Sequence, residues 1–429
     1  MKKLRGEMER DGNFQGGNSP NFSSCWILTE SQEFIRRTFS FLPAKTLGIC
    51  SGVCKAWYAE VKRVLHHREE IGWATFGRIE AEEVSHGNED QLGPFGAHLN
   101  ACLKTLGSLP RHAIVFSECL SLDEFQEGTD FGREEANSSG TRKTLQKSLE
   151  AVRSKLPVES SVVFVHSDGT MGCKPDLSPA GETEGSWGTA CVLLPNMDGV
   201  TVECQRHYRN KLTRSEMEAY VARHGMPADT KCVLVFSSGG PQRGGRFLEL
   251  LQHGFQEEFG TMPVIAGGIA RNVGMVDQTR TNETGTNSKK LPSCLTVTFS
   301  GPNVRAASVV LDNSVTARDK ARSKFQELKK LGLPGKHSLA FLFSCVGRGR
   351  HFYQAEDVES GAFHEVFPDT PLVGFFGGGE YGCDNFTLGR SVQESADRDS
   401  ADLRHRNALK KLQNLEKSFT CVVCLLSFG

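Results

Sequence analysis

The apolar positions of this chain follow two periods, and the change between them falls near Trp73. On the N-terminal side, Ile35 and Phe39 lie one helical turn apart. Pro43 stands where a helix can begin, because its fixed φ suits a first helical position and its missing N–H would have no intrahelical partner there. Ser51 can cap a further helix in which Val53, Trp57, Val61 and Val64 share one face, with Cys54 and Leu65 widening the stripe. The pattern predicts three short helices within residues 25–72. A unit of about fifty residues cannot close a self-sufficient core, so it is expected to complete its interior against a partner. Residues 1–24 are rich in Gly, Asn and Ser, hold little to bury, and are expected to be disordered.

After Trp73 the pattern alternates between strands and helices. Phe95–Leu106 reads as a helix, RHAIVF ending at Phe116 as a strand, and Glu127–Arg142 as a polar loop. Leu145, Leu149, Val152 and Leu156 mark a helix stopped by Pro157, and strands follow at Ser161–Gly169, Gly188–Pro195 and Val200–Cys204. Thr213 and Glu216 form a capping box ahead of Met217, Tyr220 and Val221. The strand KCVLVF, a helix carrying Phe247, Leu251, Phe255 and Phe259, and the strand PVIAGGIA come next. After a polar loop at Gln278–Lys290, Leu295–Leu311 reads as an antiparallel pair turning at Gly301–Asn303. A helix at Thr316–Leu331, strands ending at Cys345 and Phe376, a charged insertion at about 390–417 and a final apolar strand complete the chain. Strands of near-continuous hydrophobicity need cover on both faces. The expected class is therefore mixed α+β and α/β: a small three-helix module, then a large domain of mixed sheets covered by helices.

Composition removes several functions. The 429 residues carry 50 Lys and Arg against 51 Asp and Glu, so no global field favours nucleic acid or an anionic membrane. No apolar run approaches the length of a spanning helix, and MKKLRGEMERDGNF is charged where a signal peptide needs an apolar core, so the cytoplasm and nucleus are the expected compartments. The 14 cysteines are scattered singly, as in a reducing compartment. Cys421 and Cys424 alone form a Cys-x-x-Cys, in an apolar strand without a second pair, so no metal is expected. Neither a phosphate loop nor a GxGxxG after a strand is present, and no cofactor is expected.

Several strands run into glycine, at Ser237–Gly240, Ala266–Gly268, Val346–Gly349 and Gly377–Gly379. Such turns can gather backbone N–H groups around a small anionic or amide ligand, or serve tight turns only. Cys345 ends one of these strands with Arg348, Arg350 and His351 close in sequence, an arrangement expected to lower its pKa. His351, His364 and Glu380 are the nominal bases should it act as a nucleophile.

Leu42-Pro43, Lys45, Leu47 and the run from Val53 to Trp57 resemble the F-box. One departure is Glu30-Ser31, where that family has an earlier Leu-Pro. The resemblance implies docking on the adaptor Skp1, hence on a cullin-1 scaffold with its RING subunit, through Ile35, Phe39, Leu42, Pro43, Leu47, Val53, Cys54 and Trp57. Downstream, FSCVGRG at Phe343–Gly349 and GFFGGGEYGCD at Gly374–Asp384 resemble the FIST domain, with an N-terminal part at 73–310 and a C-terminal part at 311–429. That resemblance marks Cys345, Gly347, Arg348, Gly349, Gly378 and Glu380 as the candidate pocket. Two functions are then expected to compete. One is a non-catalytic substrate receptor of a Skp1–cullin–F-box ubiquitin ligase, acting on protein clients; the other is a small-ligand or redox sensor built around Cys345.

Overall fold

The computed structural model describes residues 31–77, 92–120, 122, 138–174, 176, 177, 181–185, 188–208, 229–239, 241–259, 262–277, 291–333, 337–387 and 414–429. The N-terminal tail, the helix expected at Thr213–Val221, the loop at Gln278–Lys290 and most of the charged insertion lie outside them.

Three helices form the N-terminal module: α1 (Gln32–Ser40), α2 (Ala44–Cys50) and α3 (Lys55–His66). Ile35, Phe39, Leu47, Val61 and Val64 close its interior, and the rings of Phe39 and Trp57 meet edge to face at 5.1 Å. Ser51 follows the last residue of α2 and does not begin α3. Cys54 caps α3 in its place, its Sγ accepting from the Trp57 N–H at 3.5 Å. Val53 is left outside the helix for that reason. Glu60 is buried on α3 but is matched by Arg36 at 3.1 Å and Arg63 at 2.6 Å.

The rest of the chain repeats one pattern three times. The first pass is β1 (Gly72–Phe76), α4 (Gly93–Thr105), β2 (Pro110–Ser117), α5 (Ser138–Lys155), β3 (Ser161–His166), β4 (Gly169–Gly172), β5 (Gly181–Glu184) and β6 (Thr189–Pro195). The second is β7 (Thr201–His207), β8 (Thr230–Ser238), α6 (Pro241–Phe259), β9 (Val264–Ala270), β10 (Asn272–Val276) and β11 (Cys294–Ser300). The third is β12 (Val304–Leu311), α7 (Arg318–Lys330), β13 (His337–Cys345), α8 (Arg350–Tyr353), α9 (Val358–Val366), β14 (Leu372–Gly377), β15 (Glu380–Gly382), β16 (Asn385–Thr387), β17 (Glu416–Lys417) and β18 (Cys421–Phe428).

Among the described residues these strands make three sheets, ordered β1-β6-β2-β3-β10, β7-β11-β8-β9-β15-β17 and β16-β12-β18-β13-β14-β4-β5. In each, one parallel pair, β2–β3, β8–β9 or β13–β14, is joined by a helical crossover, as parallel neighbours require. The strand that follows each parallel pair leaves its own sheet. β4 pairs with β14, β10 with β3 and β15 with β9, so every pass lends a strand to another.

The inner faces of the three sheets share one core. At its centre Phe116, Phe236 and Phe343 occupy equivalent places near the ends of β2, β8 and β13, with ring centroids 5.7, 6.3 and 5.9 Å apart. The outer faces pack separately against helices. The seven-stranded sheet draws β4 and β5 from the chain before residue 310, so the sheets do not divide at residue 311.

Three expectations need correction. β11 and β12 are consecutive but are not a hairpin: β11 pairs with β7 and β8, whereas β12 pairs with β16 and β18. The chain turns a corner between sheets at Gly301, where φ is +114° and a Cβ would lie 2.2 Å from the Gly199 carbonyl. Ala266–Gly268 is not a strand-end turn but lies inside β9, where Gly267 lets the β8 backbone approach. The polar stretch Glu127–Arg142 gives way to α5 at Ser138, because the first turn of that helix precedes the buried face that starts at Leu145.

Removing the ring from either Phe116 or Phe236 is expected to cost about 3–5 kcal/mol, since each opens the same shared centre. Urea unfolding of Phe116→Ala and Phe236→Ala measures this. A loss below about 1 kcal/mol in either would show that the sheets do not depend on a common core.

Candidate functional sites in the helical module and at the sheet end

The module's own core uses up part of the expected docking set. Ile35, Phe39 and Leu47 are buried inside it, and Leu42, Pro43, Cys54 and Trp57 are half-buried. Val53 is open, 63% exposed. Sequence reasoning missed Phe34, Phe41, Ile49 and Tyr58, which are also exposed, Phe41 to 86% and Ile49 to 75%. Their signal was available: Phe34, Ile49 and Tyr58 fall off the inward stripe of their helices, and Phe41 follows the last residue of α1. Large exposed apolar groups gathered in one small unit mark an interaction surface.

The second site lies where β13 ends. Of the six residues expected to line a pocket, Cys345, Gly347 and Glu380 come together. Glu380, 1% exposed, accepts from the Thr420 N–H at 3.2 Å and the Thr420 hydroxyl at 2.6 Å through Oε2. Its Oε1 has no hydrogen-bond partner, and the Cys345 thiol lies beside the carboxyl group. Gly347 sits under the ring of Phe419, which would be 3.0 Å from any Cβ placed there. Phe419 itself has φ of +54°, rare for a side chain of this size. Its N–H points to the Cys345 sulfur and its carbonyl accepts from Arg348 Nη1 at 3.2 Å, so both sides of the turn are held.

Arg348 is turned away from Cys345 and fully buried. Its Nε donates to Glu359 Oε1 at 2.8 Å, Nη1 to the carbonyls of Asp312 at 2.9 Å and Phe419 at 3.2 Å, and Nη2 to the Val315 carbonyl at 3.0 Å and the Tyr353 hydroxyl. A guanidinium has five N–H groups, and all are used. Glu359 is filled in turn by the Ser344 and Tyr353 hydroxyls, each at 2.7 Å. Arg348 is thus a brace between β13, α9 and the turn before β18. Gly349 leaves room for Glu184, which accepts the Arg350 N–H at 2.7 Å, and the Gly378 N–H is spent on the Ile269 carbonyl at 2.9 Å.

The expected activation of Cys345 is reversed. Burial, together with the nearby Glu380 charge, pushes its thiol above the ordinary range. Arg350 pairs with Glu356 at 3.0 Å and His351 is exposed, so neither supplies the positive charge that the sequence suggested. A buried neutral thiol is a poor nucleophile.

Burial also pushes Glu380 up to about 7, against the pull of the Thr420 donors and the Cys345 thiol. Glu182 is pushed to about 8 by burial and then by the charge of Glu359, although its carboxylate accepts the Ser360 N–H at 2.8 Å in the first turn of α9. In both cases the folded chain holds a proton that the unfolded chain gives up near pH 4.5. The contribution of these two groups to stability is therefore fully present below that pH and is lost as pH rises, through about 7 for Glu380 and about 8 for Glu182. Glu380→Gln is expected to remove its share of the decline, on the order of 3 kcal/mol, without disturbing the Thr420 contact. Urea midpoints of both chains between pH 5 and 8 test this; parallel profiles would mean that Glu380 is charged throughout.

The FIST C domain family matches residues 294–383, from β11 to just past β15. F-box only protein 22 of Pongo abelii is 26% identical over 418 residues, spanning 96% of this chain and 96% of that protein. The Homo sapiens protein of the same name is 26% identical over 419 residues, with the same coverage of both chains. Among solved structures, a cyanuric acid hydrolase overlays with a TM-score of 0.34 at 10% identity, covering 85% of this chain and all of that one (100%). A TM-score that low carries no inference about fold or chemistry. The chain is thus similar over nearly its whole length to F-box only protein 22, and residues 294–383 match the FIST C domain.

Proposed function

We propose that this chain is the substrate-recognition subunit of a Skp1–cullin–F-box ubiquitin ligase, active in the cytoplasm and nucleus. The module docks on Skp1, which brings cullin-1 and its RING subunit, while the FIST body holds protein clients for ubiquitination and proteasomal degradation. The chain is not itself the catalyst. Its contribution is proximity, because a client held beside the charged E2 meets it at a high effective concentration.

The observation that carries this reading is the set of large apolar side chains left exposed on the small module. Its interior is already closed by Ile35, Phe39, Leu47, Val61 and Val64, yet Phe41, Ile49, Val53 and Tyr58 stay exposed. The raised thiol of Cys345 and the saturated Arg348 support a non-catalytic role. A second reading, a small-ligand sensor, is favoured by one feature only: the unpartnered Oε1 of Glu380 could take an N–H donor from a ligand.

Charging the module surface separates the two. Ile49→Asp with Val53→Asp should leave the melting temperature unchanged, because both side chains are exposed in the free chain. Burying such a pair in a complex is worth roughly 1.5–3 kcal/mol each, so Skp1 affinity should fall about 100-fold or more. Titration of purified Skp1 against both chains reads this directly. Failure of the unaltered chain to bind Skp1, or equal binding by the variant, contradicts the proposal.

A further inference from the structure

Three consecutive charged residues carry the chain from α3 into β1, and each is tied to a distant part of the chain. Arg68 Nη2 donates to the carbonyls of Phe39 at 2.9 Å and Ser40 at 2.7 Å, in the last turn of α1. Its Nη1 donates to the Leu42 carbonyl at 2.5 Å and, across the junction, to the Gly107 carbonyl at 2.9 Å. Glu69 accepts the Asp198 N–H at 2.8 Å, beside the corner between β6 and β7. Glu70 accepts the Gly107 N–H at 2.7 Å through its side chain and the Ser108 hydroxyl at 2.5 Å through its carbonyl. The Ala44 N–H, at the start of α2, donates to the Leu106 carbonyl at 3.0 Å. No flexible stretch separates the module from the body.

We propose that Arg68 is a positioning residue that fixes the angle between the helical module and the body, and so sets where a bound client stands relative to the adaptor. A planar fork with several fixed donors can hold four carbonyls from two parts of the chain at once; a lysine ammonium has three donors on one point and cannot. The carbonyls at the end of α1 carry the negative end of the helix dipole, which suits a cation there. The second clause rests on the ligase reading above; the first does not.

The test uses the full chain with Arg68→Gln and Arg68→Lys. In the isolated protein, amide exchange at Ala44 and Gly107 should accelerate by about tenfold or more in both variants, while exchange in β13 and β18 stays as it was. In the assembled ligase, client affinity should be unchanged and the rate of ubiquitin transfer should fall several-fold, with no rescue by lysine. Unchanged protection at Ala44 and Gly107, accelerated exchange throughout the body, or full transfer from a loosened junction would each overturn the proposal. Should the Arg68 variants fail to fold, Glu70→Ala, which frees the Gly107 N–H but spares the Arg68 bonds, must leave protection at Ala44 as it was, because Arg68 still ties the two parts, and accelerated exchange at Ala44 overturns the proposal. If the unaltered chain captures no Skp1, the ligase reading fails by itself, and the exchange experiment still decides the role of Arg68.

Discussion

The body holds together because each of its three passes gives a strand away. β4, β10 and β15 complete sheets other than the ones they emerge from, and the sheets close on a common interior centred on Phe116, Phe236 and Phe343. A sheet that lost its borrowed strand would expose a raw hydrogen-bonding edge and one wall of the shared core at the same time. The two corners at Gly199 and Gly301 follow from this arrangement, since each carries the chain from the end of one sheet into the start of the next. They also touch: Asn303 donates its N–H to the Gly199 carbonyl at 3.2 Å and its side-chain amide to the Asp198 carbonyl at 2.8 Å.

That closure decides what the sheet-end groups can do. Where β13 meets the borrowed β15, Glu380 and Cys345 are pressed together out of water, and both become harder to ionise. Beside them Arg348 is wholly spent on Glu359 and on carbonyls just after β12, ahead of α7 and in the Phe419 turn. The chemistry suggested by a Cys-x-x-Arg run therefore resolves into a brace and a thiol–carboxyl pair that is harder to ionise. The outward-facing resources of the molecule lie elsewhere, on the helical module, which the junction at Arg68 to Glu70 binds to the body as a fixed attachment.

Much of this was legible in the residues. The buried faces of α1, α3, α5, α7 and the strands follow the apolar periods closely, because those positions face one core each. The triple pattern was also present, in Ile-Val-Phe-Ser at 114–117, Leu-Val-Phe-Ser at 234–237 and Phe-Leu-Phe-Ser at 341–344, though insertions of different length between passes obscure it. What could not be read was which sheet a strand joins. Gly301-Pro302-Asn303 is the same short turn whether two strands fold back on each other or part at a corner. Nor could spacing say which way Arg348 points, or that Arg68-Glu69-Glu70, which looks like a solvated turn, is three separate ties.

The claim beneath all of this is that the three sheets stand or fall as one. Amide exchange followed across a denaturant series, in β2, β8 and β13, tests it most directly. If strand lending binds the passes together, the innermost amides of all three strands open with the same free energy and the same denaturant dependence. If one of the three opens first, with a shallower dependence and a smaller free energy, its sheet is a separate unit and the account is wrong.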